Sequence, residues 1–278
     1  MNKNLKTTGE RIIPHDLKTV EEYIQLLRHI FVYQEVKAQL ETSDRILEVG
    51  FGEGYGAKIL SESCREIIAI DVEKDAVSYA QNKYGGDKCR FLWYDGSIIP
   101  FDNAGFDAVV SFQVIEHIQD DKLFVAEICR VLKNGGRFYI TTPNRETRLK
   151  SGQKPWNRFH VREYANSQLA ETLRESFEQV DVFGVKAIED IMKREAKRIS
   201  RGFIIGLALK LGMRKWLPAS LDPYVARFIG KLKGQKKIAD KKQDFRNLYS
   251  LDDFWLEKDD VPSSLDLFAQ CVKDTIKR

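Results

Sequence analysis

An α/β fold, with a mostly parallel sheet covered by helices on both faces, is what this 278-residue sequence predicts. Three observations carry the prediction. From residue 45 onward, short β-branched runs alternate with longer stretches of helical spacing, the order that builds strand–helix–strand units. A glycine-rich turn follows the first of these runs, where an open α/β sheet binds its ligands. At 43% hydrophobic and 31% charged residues, the chain has the composition of a globular protein and the length to bury a core.

A helix is expected over 18–40, before the sheet begins. Strands follow at 45–49 (RILEV), 66–71 (EIIAID), 89–93 (CRFLW), 106–112 (FDAVVSF) and 136–141 (GRFYIT), and later at 177–183 (FEQVDVF) and 265–272 (LDLFAQCV). Helices fill 54–64, 74–83, 121–132 and 166–175. The third shows Leu123, Phe124, Ala126, Ile128, Val131 and Leu132 at helical spacing above the stop Asn134-Gly135-Gly136. Residues 184–264 separate the last two strands and carry Ile188, Ile191, Met192, Ile199 and Phe203 at helical spacing.

The net charge of +4 conceals an asymmetry. Residues 186–246 hold 17 Lys/Arg against 6 Asp/Glu, a net +11, which leaves −7 for the rest of the chain. Cys64, Cys89, Cys129 and Cys271 form no C-x-x-C pair, which argues against a zinc site or a disulfide framework. The opening MNKNLKTTGERIIPHDLK lacks the apolar core of a signal peptide, and the nearly uncharged stretch 202–213 is too short to span a bilayer. A cytoplasmic chain is expected.

The glycine turn runs Glu48-Val49-Gly50-Phe51-Gly52-Glu53-Gly54-Tyr55-Gly56. Gly52-x-Gly54-x-x-Ala57 also fits a dinucleotide turn, so the turn alone leaves NAD(P) and S-adenosylmethionine open. Asp71 ends the second strand, where a carboxylate accepts from both hydroxyls of a ribose or simply caps a turn. Asp95-Gly96 follows the third strand, where an Asp can accept an adenine amine. The fourth strand ends in Ser111-Phe112-Gln113-Val114-Ile115-Glu116-His117 and the fifth in Thr141-Thr142-Pro143-Asn144, at the same sheet edge.

Taken in this order the motifs resemble the class I S-adenosylmethionine-dependent methyltransferases, especially the type 11 group, whose E/D-x-G-x-G-x-G pattern matches Glu48 through Gly54. The resemblance covers roughly residues 44–183. It implies a Rossmann-like, seven-stranded sheet with an antiparallel last strand and a helical insertion before that strand. It implies S-adenosylmethionine as cofactor, with Glu48, Gly50 and Gly52 along its methionine part and sugar, Asp71 at the ribose, Asp95 at the adenine, Gln113 lining the pocket, and Phe51, Gly54, Val72 and Gly96 also among the cofactor-binding residues.

The chain then divides into an N-terminal helical segment covering the cofactor site (1–43), the binding core (44–183), a basic helical insertion (184–264), and the last strand and tail (265–278). Thr8-Gly9-Glu10-Arg11, with Arg28 and Phe31, is similar to a subgroup found among saccharide and cell-surface-polymer methyltransferases; His29 stands where that subgroup has a tyrosine.

Methyl transfer needs an aligned nucleophile and, for a hydroxyl, a base. His117 and His160 are the candidates, since imidazole titrates near neutral pH; each could equally be a hydrogen-bonded structural residue. Glu116-His117 also resembles part of a Glu-x-x-Glu-His metal motif of some relatives, but Gln113 replaces the first Glu, so no essential metal is expected. The expected acceptor is a small molecule or glycan, with a saccharide or glycolipid hydroxyl preferred. The segment 186–246 would suit peripheral contact with the inner membrane face, or simply present lysines to water from a packed helical subdomain. Nucleic acid is disfavoured, as no RNA-binding module accompanies the basic segment. A nucleotide-dependent oxidoreductase and a non-catalytic cofactor-binding partner protein are the alternatives.

Overall fold

A computed structural model describes residues 11–150, 152–157, 159–210 and 245–274. Helix α1 (Val20–Lys37) precedes β1 (Arg45–Val49), α2 (Tyr55–Leu60), β2 (Glu66–Asp71), α3 (Lys74–Tyr84) and β3 (Cys89–Trp93). Then come β4 (Phe106–Phe112), α4 (Asp121–Val131), β5 (Leu132–Pro143), the single-turn α5 (Arg145–Arg148) and α6 (Asn166–Arg174). The chain closes with β6 (Gln179–Ala187), α7 (Glu189–Lys210), β7 (Phe254–Glu257) and β8 (Asp266–Val272).

Eight strands form one sheet in the order β3-β2-β1-β4-β5-β8-β6-β7. Strands β1 to β5 pair in parallel, β8 runs antiparallel between β5 and β6, and β7 lies antiparallel on the outer side of β6. The sheet is thus the expected one with one edge strand added. That strand lies inside the stretch expected to be a helical insertion. Its four residues, FWLE, are too few to establish an alternation, and they pair with an extension of β6 to Ala187, past its expected end at 183.

Alternation along the strands fills two apolar layers. Ile46, Ile67 and Ala69 face one way, onto α1, α2, α3 and α7; Leu47, Ile68 and Ile70 face the other, onto α4 and α6. Each fully buried Ile or Leu contributes roughly 1.5–3 kcal/mol relative to exposure. Helix α1 begins where the Thr19 hydroxyl accepts from the Glu22 N–H at 3.1 Å, and α4 where Asp120 accepts from the Leu123 N–H at 3.0 Å.

The order of strands reverses between β1 and β4, and the crevice for a ligand opens at that reversal. The glycine turn after β1 and Gln113 after β4 stand on its two sides. Helix α7 starts the basic segment with Ile191, Glu195 and Ile199 buried at i, i+4 and i+8. Residues 211–244 of the basic segment lie outside the described residues, as do Thr8, Gly9 and Glu10. Among the described residues no helix is long and apolar enough to cross a membrane.

Candidate active site

The turn after β1 is shaped by backbone that only glycine adopts readily. Gly50 sits at φ +80°, and a Cβ there would come within 2.4 Å of Val114 on the loop after β4. Gly52, at φ +61°, has nothing within 4 Å of where its Cβ would be, so this side of the turn faces open space. The Gly52 N–H donates to Asp71 Oδ2 at 3.1 Å and the Glu73 N–H to Oδ1 at 2.9 Å. Asp71 therefore holds the turn while each oxygen keeps a lone pair for a ribose hydroxyl. Burial raises its pKa, against the pull of those two N–H groups and of Arg11.

Glu48 is buried beneath the turn. Its Oε1 accepts from the Tyr33 hydroxyl at 2.5 Å, and its Oε2 is buried with no partner. Burial pushes its carboxyl up to about 7; the Tyr33 hydroxyl lowers it and the charge of Asp71 raises it. An orphaned buried acceptor beside an open glycine turn fits the ammonium end of a bound amino-acid moiety. Glu53 anchors the turn from its other end, accepting from Tyr79, Lys83 and Tyr84 of α3, each at 2.8 Å.

Gly54 opens α2 at φ +97°. Phe51 turns its ring into the core, edge-to-face with Phe91 at 4.9 Å, which leaves its backbone for the turn. Val72 is 52% exposed, and a Cβ on Gly96 would lie 3.1 Å from it, so the ends of β2 and β3 meet there. Asp95 is exposed nearby. It accepts from the Ser97 hydroxyl at 2.6 Å and the Ser97 N–H at 3.0 Å, which hold its carboxyl below the usual range. Gln113, at φ +58°, donates its N–H to Thr141 O at 2.9 Å and its amide nitrogen to Thr141 Oγ1 at 3.3 Å, tying the end of β4 to β5.

The two histidines, distant in sequence, meet edge-to-face with ring centroids 5.0 Å apart. His117 Nδ1 lies 3.0 Å from Phe159 O, and His160 Nδ1 lies 2.8 Å from Glu163 Oε1. A carbonyl only accepts and an ionised carboxylate only accepts, so both Nδ1 atoms carry the hydrogen and both Nε2 atoms keep the lone pair in the neutral ring. Glu163 is fully buried; burial raises its pKa, but His160 and the Arg148 guanidinium at 3.1 Å outweigh that and hold it low. Glu116 is buried below the pair, raised by burial, and accepts from Thr142 Oγ1 at 3.0 Å.

One ligand atom from each of Glu116, His117 and His160 lies within 4.8 Å of the others. The expectation of no essential metal rests on Gln113; His160, from beyond β5, supplies a third ligand-type group that the spacing Gln113-x-x-Glu116-His117 does not reveal. That trio could hold a divalent ion, or the histidines could work without one. Tyr33, Glu53 and Glu163 are further site residues the sequence reading did not single out. Only Glu53, by its place inside the glycine turn, gave a local signal.

Comparison with known proteins agrees with this arrangement. Residues 47–140 match the family model of a methyltransferase domain. A Mycolicibacterium smegmatis protein named "Probable S-adenosylmethionine-dependent methyltransferase" is 39% identical over 184 residues, covering 65% of this chain and 68% of that one. The Mycobacterium tuberculosis protein of the same description, Rv3030, is 38% identical over 169 residues, covering 61% of this chain and 60% of its own length. Among solved structures, an S-adenosylmethionine-dependent methyltransferase of Thermotoga maritima shares the fold, with a TM-score of 0.55 at 15% identity over 92% of this chain and 96% of that one. The chain belongs to the class I S-adenosylmethionine-dependent methyltransferases. Its cofactor is S-adenosylmethionine, and the dinucleotide option left open by the glycine turn falls away.

Proposed function

We propose that this methyltransferase acts on a hydroxyl of a saccharide or glycolipid, with His117 or His160 taking the hydroxyl proton. The observation that carries the reading is the paired lock on the two imidazoles. Each has its Nδ1–H held by a fixed acceptor, so each keeps Nε2 as the basic nitrogen. The bound cofactor supplies a methyl group on a sulfonium, already activated for displacement. The rest falls to the chain: the acceptor oxygen is held in line, its proton passes to an imidazole Nε2, an O–CH₃ bond forms as the S–CH₃ bond breaks, and the sulfur leaves as a neutral thioether.

Phe159 and Val161, 41% and 42% exposed, flank the histidines and offer an apolar surface to the C–H face of a sugar ring. The net +11 of residues 186–246 favours an anionic, lipid-linked acceptor and contact with an anionic membrane surface. The test is methyl transfer from S-adenosylmethionine to a panel of saccharides and lipid-linked glycans, with small-molecule and RNA arms. His117→Ala and His160→Ala should both retain S-adenosylhomocysteine binding while at least one loses turnover about 100-fold or more. Full turnover in both variants removes the histidine base. EDTA should leave turnover unchanged; loss on chelation with recovery in Mg²⁺ would make the histidines ligands.

A further inference from the structure

The segment before α1 touches the cofactor site at two places. Arg11 Nη1 donates to Glu73 Oε2 at 3.1 Å, two residues beyond the proposed ribose carboxylate Asp71, whose pKa burial raises against the opposing charge of the guanidinium. The Arg11 side chain is only 9% exposed, and its Nε is buried without a hydrogen-bond partner. Four residues on, His15 Nδ1 lies 3.3 Å from Lys83 Nζ, the same ammonium that holds Glu53 under the glycine turn. Between the two contacts Ile13 is buried. The segment is therefore pinned at the ribose end and at the turn, with a buried donor left unmatched at the ribose end. A ribose hydroxyl oxygen is an acceptor of the right chemistry for it.

We propose that residues 11–18 form a strap that closes over the bound cofactor, with Arg11 contacting the ribose through its Nε–H while Nη1 stays on Glu73. The strap then gates cofactor exchange, since the nucleoside end leaves only when Arg11 lets go.

Hydrogen exchange on the full chain with and without S-adenosylhomocysteine, with calorimetry, tests the proposal. In the wild type S-adenosylhomocysteine should slow exchange across 12–18. Arg11→Gln should abolish that protection. It should also weaken S-adenosylhomocysteine and methylthioadenosine alike, by about 10-fold, because both carry the ribose and only the first carries the amino-acid part. If Arg11→Gln does not fold, Glu73→Gln, which loosens Nη1 and spares Asp71, should show several-fold weaker binding and faster exchange over 12–18. Exchange unaffected by ligand in the wild type, or variant affinity within twofold of it, overturns the strap. A wild type that binds no S-adenosylhomocysteine would instead contradict the cofactor assignment.

Discussion

With Glu48 as the proposed partner of the cofactor ammonium, cofactor affinity should depend on pH. The Glu48 carboxyl stands at about 7 in the folded protein against an ordinary value of 4.5, so the folded chain holds this proton more tightly than the unfolded chain does. The stability it contributes is complete below about pH 4.5 and is lost as pH rises through about 7; over that window the loss is about 3 kcal/mol. A cofactor ammonium beside the orphaned Oε2 favours the ionised form and recovers part of that energy. Affinity for S-adenosylhomocysteine should therefore climb between pH 5.5 and 7.5, by up to about 10-fold per unit on the acid side, and level off above. Tyr33→Phe removes the hydroxyl that stabilises the carboxylate, an interaction worth about 1.5–3 kcal/mol for a charged acceptor. It should move the midpoint upward by about one to two units and weaken binding at pH 7 by about 10-fold or more. Calorimetric titration across this range reads both effects. A flat profile in the wild type, with Tyr33→Phe within twofold of it at every pH, would refute the argument that Glu48 meets the ammonium.

Three further changes probe the frame around the turn. In Gly56→Ala the new Cβ would fall 1.9 Å from Tyr33 Cζ, against a ring that is buried and bonded to Glu48; about 1–3 kcal/mol of stability should be lost, visible as a lower Tm. An unchanged Tm would mean that α1 yields easily. Glu53→Gln keeps an acceptor oxygen for only one of the two tyrosines, which donate to different carboxylate oxygens, and removes the charge that pairs with Lys83. It should cost about 1–2 kcal/mol in urea unfolding together with weaker S-adenosylhomocysteine binding; stability loss without any change in affinity would separate the anchor from the cofactor. Arg28→Met removes the guanidinium 3.1 and 2.9 Å from the buried Glu195 and Asp266, leaving Glu195 to Arg198 at 2.9 Å and Asp266 buried without its ion-pair partner. It should cost about 3–5 kcal/mol, part of which Glu195→Gln in the same chain should restore; equal stability of the single and double variants would show that the charges are not coupled.

The placing of the glycine turn and strand ends around one crevice was legible because its signals are local. Glu48 to Gly54 occupy one turn, and Asp71, Asp95 and Gln113 each sit at the end of a strand whose β-branched run announces it. The histidine cluster is assembled from places that have no spacing relation. His160 reaches His117 only because the chain beyond β5 returns across the mouth of the sheet, where the Val161 N–H donates to Glu116 O at 2.8 Å. Glu163 is hidden for the same reason, as its role depends on Arg148 and His160 arriving together. Tyr33 looks like one more apolar position of an amphipathic helix until Gly56 is seen to make room for its ring.

Consecutive turns of α1 join parts of the molecule that the sequence keeps far apart. Tyr33 reaches Glu48 under the cofactor turn, and His29 lies 3.1 Å from the Tyr55 hydroxyl at the start of α2, with burial and the charge of Arg28 lowering its pKa to about 3 so that it stays neutral. Arg28 meets Glu195 of α7 and Asp266 of β8, and Phe31 stacks on Phe254 of the added edge strand with centroids 6.0 Å apart. The inserted segment and the glycine turn are thus fastened to the same rigid rod. Burying a guanidinium between two carboxylates is a poor way to gain stability but a good way to fix one arrangement against its neighbours. The helix that leads into the sheet therefore sets the position of α7 relative to the glycine turn, and a displacement of α7 would be felt at Tyr33 and Glu48 through side chains less than two helical turns apart.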